Sequence, residues 1–152
     1  MKKQTISKDT PLAEITLRKY EKPENLSGRD LVRKLCLSLG LLQPGDSRDV
    51  VVDVLMVLLQ RKEMRLSGIE AEVIDLRKKN KLKLSGVASS NISRQLRRLR
   101  DILLVEKVGN IYRITENDKL ENIFREKVEQ YLISSIIGRV KDYVKMVDEV
   151  LK

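Results

Sequence analysis

The chain has 152 residues and a mass of 17.6 kDa, with 41% hydrophobic and 35% charged residues, which suits one soluble domain with its own core and an appendage. It contains no histidine, a single cysteine (Cys36) and no apolar run of the ~18–20 residues that a membrane span needs. An intrachain disulfide, a Cys/His zinc site and a histidine-dependent catalytic triad are therefore excluded, whereas the net charge of +9 indicates an anionic partner.

The N-terminal part of the chain is predicted to be an extension of the main domain. Residues 1–10 are polar and are expected to be frayed. Between 11 and 23 apolar and polar residues alternate, which predicts a short strand. A helix then carries leucines at helical spacing around Cys36, and the Pro44-Gly45 turn signal ends it. These elements assign residues 1–47 to the extension.

Two further helices are predicted before the most basic part of the chain. The first runs from about 47 to 62, and its valines and leucines cover more than half of its circumference, which is typical of a helix buried against several partners. The second opens at Ser67-Gly68 and ends at the basic run 77–80. A basic segment, 81–87, follows and is broken at Ser85-Gly86.

A fourth helix that starts near Ser89 has two different faces. Its apolar residues are spaced i, i+4, i+7 and i+11, which places them on one side of an α-helix. They are Ile92, Leu96, Leu99 and Leu103. The opposite side is polar and cationic and has no acid before Asp101. It is made of Ser90, Asn91, Arg94, Arg97 and Arg98.

The basic residues of the chain are concentrated around this helix. Residues 61–100 hold twelve basic and four acidic side chains, so eight of the nine excess positive charges lie in this window. Such clustering favours a polyanion as the partner. An anionic membrane surface is the alternative, but it requires an amphipathic helix with bulky aromatics on its apolar face, and the window has no aromatic residue.

These side chains suit contacts with double-stranded DNA. Arginine pairs bidentately with guanine and asparagine with adenine, and a good pair provides ~1–3 kcal/mol of discrimination. The hydroxyls of Ser89 and Ser90 can donate to phosphates at the helix N-terminus. Lys81 and Lys83 either contact backbone phosphates or lie in a solvated loop. A charged face that contacts only solvent is the competing interpretation, but such faces normally mix both signs of charge.

Two β-prone runs follow the fourth helix. They are 105–108 and 111–115, and the two residues between them, Gly109-Asn110, form a tight-turn signal. The sequence therefore predicts a β-hairpin directly after the helix.

The stretch SSNISRQLRRLRDILLVEKVGNIYRIT, residues 89–115, resembles the recognition helix and wing of winged helix-turn-helix transcription regulators. The resemblance implies a domain over 48–116, in which the helices starting near Asp49 and Ile69 are the first and second. It also implies that four side chains of the fourth helix meet the major groove and that two of the wing meet phosphate. These are Asn91, Arg94, Arg97 and Arg98 for the groove, and Lys107 and Arg113 for phosphate.

One interval departs from the pattern of that family. Helix-turn-helix motifs have a turn of about three or four residues between their second and third helices. Here the interval from 80 to 88 is longer. Either the second helix runs on, or an extra turn is inserted.

The last predicted helix, which Asn117 could cap, has a long apolar stripe. Apolar residues recur at spacings of three and four from 120 to 151, while seven basic and seven acidic residues in 117–152 cancel. We expect the segment 117–152 to form a homodimer, with packing on the chain's own N-terminal helix as the alternative. Gly138 lies in the middle of the stripe and is a candidate break.

The sequence as a whole predicts a mainly α fold with a small β-hairpin wing, a winged helix-turn-helix domain with an N-terminal helical extension and a long C-terminal helix. The predicted function is that of a sequence-specific, dimeric double-stranded DNA-binding transcription regulator in the cytoplasm, without enzymatic activity, metal, cofactor or membrane partner. One alternative is an architectural or non-specific nucleic-acid-binding protein. Such proteins usually stack bases on aromatic side chains, and the basic window has none. The other alternative is a winged-helix module that binds protein. No motif indicates a small-molecule effector.

Overall fold

A computed structural model describes the backbone of residues 6–152 and the side chains from Lys8 onward, so residues 1–5 of the predicted frayed segment lie outside the described residues. The helices are α1 (Ile6–Asp9), α2 (Gly28–Ser38), α3 (Val50–Arg61), α4 (Leu66–Lys79), α5 (Ser89–Asp101), α6 (Leu120–Ile123) and α7 (Ser134–Leu151). The strands β1 (Met64–Arg65), β2 (Val105–Val108) and β3 (Ile111–Ile114) form an antiparallel sheet in the order β1-β3-β2. The prediction of a mainly helical fold with a β-hairpin and a long C-terminal helix is confirmed.

Helix α3 lies at the centre of the core. Its residues are almost all apolar, and Val52, Val54 and Leu55 are fully buried. Helices α2, α4 and α5 all pack against it. This follows from its composition, because a helix that is hydrophobic on most sides must be covered on most sides. The prediction of a helix buried against several partners is therefore confirmed.

The β2–β3 hairpin has the predicted position and turn. Val105 pairs with Ile114 and Val108 pairs with Ile111, which leaves Gly109-Asn110 as a two-residue turn. Gly109 has a φ of +62° and Asn110 does not have a positive φ, as a type II′ turn requires. The third strand, β1, pairs with the other edge of β3. Its two residues are too few for a sequence pattern to reveal.

The predicted strand between 11 and 23 is wrong. This segment follows an irregular path past the C-terminal end of α2. The Arg18 N–H donates to the Ser38 carbonyl (2.8 Å), and the Ser38 hydroxyl donates to the Arg18 carbonyl (2.8 Å). The Arg18 guanidinium also donates to the Leu37 carbonyl (3.0 Å). A strand needs a neighbouring strand to form a ladder, and the end of a helix offers only its last carbonyls.

The C-terminal helix is continuous from 120 to 151. A π-helical segment, Phe124–Ile133, joins α6 to α7, and the backbone angles stay helical at both junctions. Gly138 lies within α7 and does not divide it. Asn117 does not cap the helix, which begins three residues later. Its side-chain amide donates instead to Glu63 (2.9 Å).

Only the first half of this helix belongs to the core. Ile123, Val128 and Leu132 are buried in the same cluster as the side chains of α3 and α5. The segment up to about 133 therefore belongs to the same core as α2, α3 and α5, and no residue of α7 is buried. Among the described residues, no helix, α7 included, is long and apolar enough to cross a membrane.

The connection between α4 and α5 spans residues 80–88, so an inserted segment is present and α4 does not run on. The chain leaves α4 through Lys81, which has a φ of +56°. The Leu82 N–H donates to the Arg77 carbonyl (2.8 Å), and the Lys81 N–H donates to the Lys78 carbonyl (3.1 Å). These two bonds form the helix C-cap that usually places glycine at the left-handed position.

Replacing Lys81 with glycine is expected to raise the free energy of unfolding by about 0.5–1 kcal/mol, because the left-handed conformation penalises any residue with a Cβ. The matched control, Lys81→Ala, also removes the charge but keeps the Cβ, and it should change stability by less than about 0.5 kcal/mol. Urea unfolding followed by circular dichroism measures both variants. Equal stability of the glycine and alanine variants would contradict the assignment of strain to this position.

Candidate functional site

The orientation of α5 determines which of its side chains are accessible. Ile92, Leu96 and Leu99 are fully buried, as their spacing predicts. Gln95 is buried as well, with only 8% of its surface exposed. Successive residues are about 100° apart around a helix, so the accessible side of α5 lies opposite a buried side that includes Gln95. The residues at the centre of the accessible side are Ser90, Arg94, Arg97 and Asp101.

Asn91 and Arg98, which the sequence pattern places on the accessible face, are half-buried at its flank. The Asn91 side-chain amide donates to the Gly86 carbonyl (2.7 Å). The Asn91 side-chain oxygen accepts from Arg94 (2.9 Å) and from Gln95 (3.1 Å). Arg98 donates to the Gln95 side-chain oxygen (2.9 Å) and to a carbonyl of the α2–α3 loop (3.4 Å). The α2–α3 loop and the α4–α5 connection therefore close over this flank of α5.

Arg94 and Arg97 are the accessible cations at the centre of this face. Both side chains are exposed. Arg94 donates to Asn91, which carries no charge, and neither guanidinium forms an ion pair with a carboxylate of the described residues. Their positive charges therefore remain available to a ligand.

The two serines at the start of α5 have different surroundings. The Ser89 hydroxyl donates to the Glu70 carboxylate, which ties the N-terminus of α5 to α4. Ser90 is exposed. Ala88 precedes the helix and provides no capping side chain, so the first amides of α5 are open to an anion. Of the two hydroxyls, that of Ser89 is thus already engaged.

The two basic residues of the hairpin also differ. Lys107 is exposed, and its ammonium lies 5.4 Å from the centroid of the Tyr112 ring. Arg113 forms ion pairs with Glu106 (2.6 Å) and Glu63 (3.3 Å). The hydrogen bond to Glu106 is the main reason why the pKa of Arg113 lies above its ordinary value. Arg113 is thus neutralised by its neighbours, whereas Lys107 is not.

Further exposed cations lie near the ends of α4 and beside the hairpin. The α4–α5 connection carries Lys81 and Lys83, both exposed. Arg65, in β1, is exposed opposite Ile111 at the edge of the sheet. The position of Arg65 beside the hairpin depends on the pairing of β1 with β3, which no sequence pattern indicates.

A buried ion network, which was not predicted, removes one arginine of the basic window from the surface. Arg77 is 2% exposed, and its guanidinium contacts the carboxylates of Asp53 (2.6 Å) and Asp49 (3.1 Å). Arg29 bonds to Asp53 (2.9 Å) and Arg33 bonds to Asp49 (3.3 Å) from α2. The network connects α2, α3 and α4. Its only sequence signal is a pair of acids four residues apart, one directly before the mainly apolar helix α3 and the other within it.

The arginines keep the buried carboxylate of Asp49 ionised. Burial by itself would raise the pKa of Asp49, but hydrogen bonds from Arg77 and Arg29 outweigh it and lower that pKa below its ordinary value. Burial likewise opposes the charge of Arg29, and Asp53 and Asp49 outweigh it and raise the pKa of Arg29. The network contains three arginines and two aspartates; it stabilises helix packing, and the buried guanidinium of Arg77 is not accessible to a ligand.

Cys36 is buried in the hydrophobic core. Burial raises the pKa of its thiol to about 12, so it carries almost no thiolate at neutral pH. Among the described residues, no group of three or more acidic or sulfur side chains could hold a metal ion.

The chain was compared with protein-family models, with curated proteins and with solved structures, and none of the three comparisons gave a match.

Proposed function

We propose that this chain is a sequence-specific DNA-binding transcription regulator of the winged helix-turn-helix type, with α5 in the major groove of double-stranded DNA. The observation that carries the proposal is the position of Arg94 and Arg97. Both are exposed, and neither pairs with a carboxylate of the described residues, while the other side of the helix is fixed in the core by fully buried Ile92, Leu96 and Leu99. A helix that enters the major groove needs such a rigid support and such donors on its outer side.

The elements around α5 support this proposal. Helices α3 and α4 hold α5 from behind, and the β2–β3 hairpin follows it directly. The hairpin carries Lys107 as an exposed cation, and Arg65 adds another at the edge of the same sheet. Both are suited to phosphates beside the groove, where contacts position a protein without selecting a sequence. Arg113 is better suited to stabilising the hairpin, because Glu106 and Glu63 already neutralise it.

A solvated helix face is the competing explanation for these charges. On such a face, acids and bases are usually interleaved, which lowers the repulsion between like charges. The accessible side of α5 has its one acid, Asp101, at the last residue of the helix, beyond Arg94 and Arg97. Of the acidic residues of the basic window, Glu70 accepts from Ser89 at the start of α5, and Glu63 and Glu72 pair with Arg113 and Arg61, so none of these three pairs with Arg94 or Arg97. This arrangement leaves a cationic surface and favours a polyanion.

Two arginine variants test the proposal. Arg94→Ala and Arg97→Ala are each expected to lower the affinity for a duplex selected from a random pool by ~1–3 kcal/mol if the side chain contacts a base, and to relax the preference at one or two base pairs. Arg125→Ala is the matched control, because Arg125 is an exposed arginine in the C-terminal helix, far along the chain from α5. Fluorescence anisotropy at two salt concentrations measures the affinities.

Each alternative function gives a different result in the same experiment. An architectural protein would bind DNA but enrich no sequence, and the affinity lost in the two α5 variants would be the same for every duplex. A protein-binding module would show no steep loss of DNA affinity between about 50 and 200 mM salt. An unchanged affinity in the double variant Arg94→Ala with Arg97→Ala would contradict the assignment of α5 to the groove.

A further inference from the structure

Helix α7 has an apolar face that the described chain does not cover. The five residues of this face are between 48% and 77% exposed. They are separated by three, four, three and four positions, the spacing that keeps a stripe on one side of a helix and that paired helices bury between them. The stripe is about 20 Å long, because a helix rises about 1.5 Å per residue. Its members are Ile137, Val140, Val144, Val147 and Leu151.

The two edges of this stripe differ in chemistry. One edge carries Lys141 and Asp148, which are seven residues apart and therefore lie on the same edge. The other edge carries Tyr143 and Val150, both exposed. Two more charged residues lie just beyond this charged edge, and again the basic one precedes the acidic one in the sequence. They are Lys145 and Glu149.

We propose that a second copy of this chain covers the stripe and that the two α7 helices pack antiparallel. The two-fold axis of an antiparallel pair places each edge against the same edge of the partner. Lys141 of one copy then lies near Asp148 of the other, and the pair occurs twice. Tyr143 of one copy likewise lies near Val150 of the other. In a parallel pair the charged edge would face the apolar edge, and these charges would have no partners.

The charge and the support of α7 favour this occupant over others. The helix has three basic and three acidic residues, so two copies do not repel each other here, although the whole chain carries +9. Because its charges balance, α7 has no net electrostatic attraction for a polyanion. The preceding helical segment is packed in the core through Val128 and Leu132, so α7 extends from a fixed base. The association does not depend on DNA binding and is tested in the absence of DNA.

Sedimentation equilibrium of the full chain at low salt, with variants of the charged edge, tests both the partner and the orientation. The wild type is expected to be a dimer. Lys141→Glu with Lys145→Glu, and Asp148→Lys with Glu149→Lys, should each weaken the dimer at least about tenfold, because attractive pairs become repulsive. A one-to-one mixture of these two variants should form heterodimers. The chain with all four substitutions should form homodimers again.

Two further variants separate this interface from others. Val144→Asp places a charge in the centre of the stripe and should give a monomer. Arg139→Glu with Asp142→Lys changes charges outside the stripe and should leave the dimer unchanged. A monomeric wild type, or a dimer that survives Val144→Asp, would overturn the proposal. Charge variants that dimerise as well as the wild type would overturn the antiparallel orientation. A mixture of the two variants that dimerises no more strongly than either variant alone would overturn it as well.

Discussion

Replacing Arg77 with methionine is expected to lower the free energy of unfolding by about 3–5 kcal/mol. The change removes the guanidinium that contacts Asp53 at 2.6 Å and Asp49 at 3.1 Å. Asp53 is fully buried and Asp49 is 7% exposed, so two carboxylates lose a partner where water cannot replace it. The Lys83 carbonyl also loses the donor that now lies 2.6 Å away. Urea unfolding followed by circular dichroism measures the loss.

The control for this prediction is an arginine that makes a surface pair. Arg61 contacts Glu72 at 3.3 Å, and its side chain is 59% exposed. Arg61→Met should cost less than about 1 kcal/mol, because exposed ion pairs contribute little. If the two methionine variants were equally stable, the buried network would not be the bond between α2, α3 and α4 that its geometry indicates.

Replacing Gly40 with alanine is expected to cost about 2–5 kcal/mol, from a strained φ and from overpacking. Gly40 has a φ of +71°, and a Cβ on it would lie 2.6 Å from both the Cβ and the carbonyl oxygen of Thr16. One of these atoms belongs to the backbone, so the N-terminal segment must move as a whole. We expect this segment to become more sensitive to limited proteolysis, while the free energy of unfolding falls in urea.

Gly45 provides the matched control for Gly40. It has a φ of +79°, and a Cβ on it would meet nothing within 4 Å. Gly45→Ala should therefore show only the conformational cost, about 1–2 kcal/mol. A loss of stability in Gly40→Ala no larger than in Gly45→Ala would mean that the segment around Thr16 does not pack tightly against the α2–α3 loop.

Local patterns determined most of the elements in advance. Ile92, Leu96 and Leu99 define the buried side of α5 because helical periodicity and burial are both properties of one short stretch. The Gly109-Asn110 turn likewise follows from the conformational freedom of two residues. The strand predicted between 11 and 23 failed for the converse reason: alternation indicates a strand only where a neighbouring strand exists.

The candidate site could be predicted only in part. Arg94 and Arg97 are accessible, as the polarity of α5 indicates. Asn91 and Arg98 share that polarity, but Asn91 donates to the Gly86 carbonyl in the connection just before α5, and Arg98 donates to the Gly40 carbonyl, which is distant in sequence. The accessibility of Arg98 depends on which flank of the helix the α2–α3 loop covers, and no periodicity within α5 contains that information.

The sequence by itself determined that the chain is mainly helical, where α5 and the hairpin lie, and that an excess of positive charge surrounds them. Only the tertiary structure decided which charges are free. Arg77 is buried between two aspartates and Arg113 is paired with two glutamates, whereas Arg94 and Lys107 remain open to a ligand. The physical reason is that a charge is neutralised by whatever lies within a few ångströms of it, and folding chooses those neighbours from the whole chain.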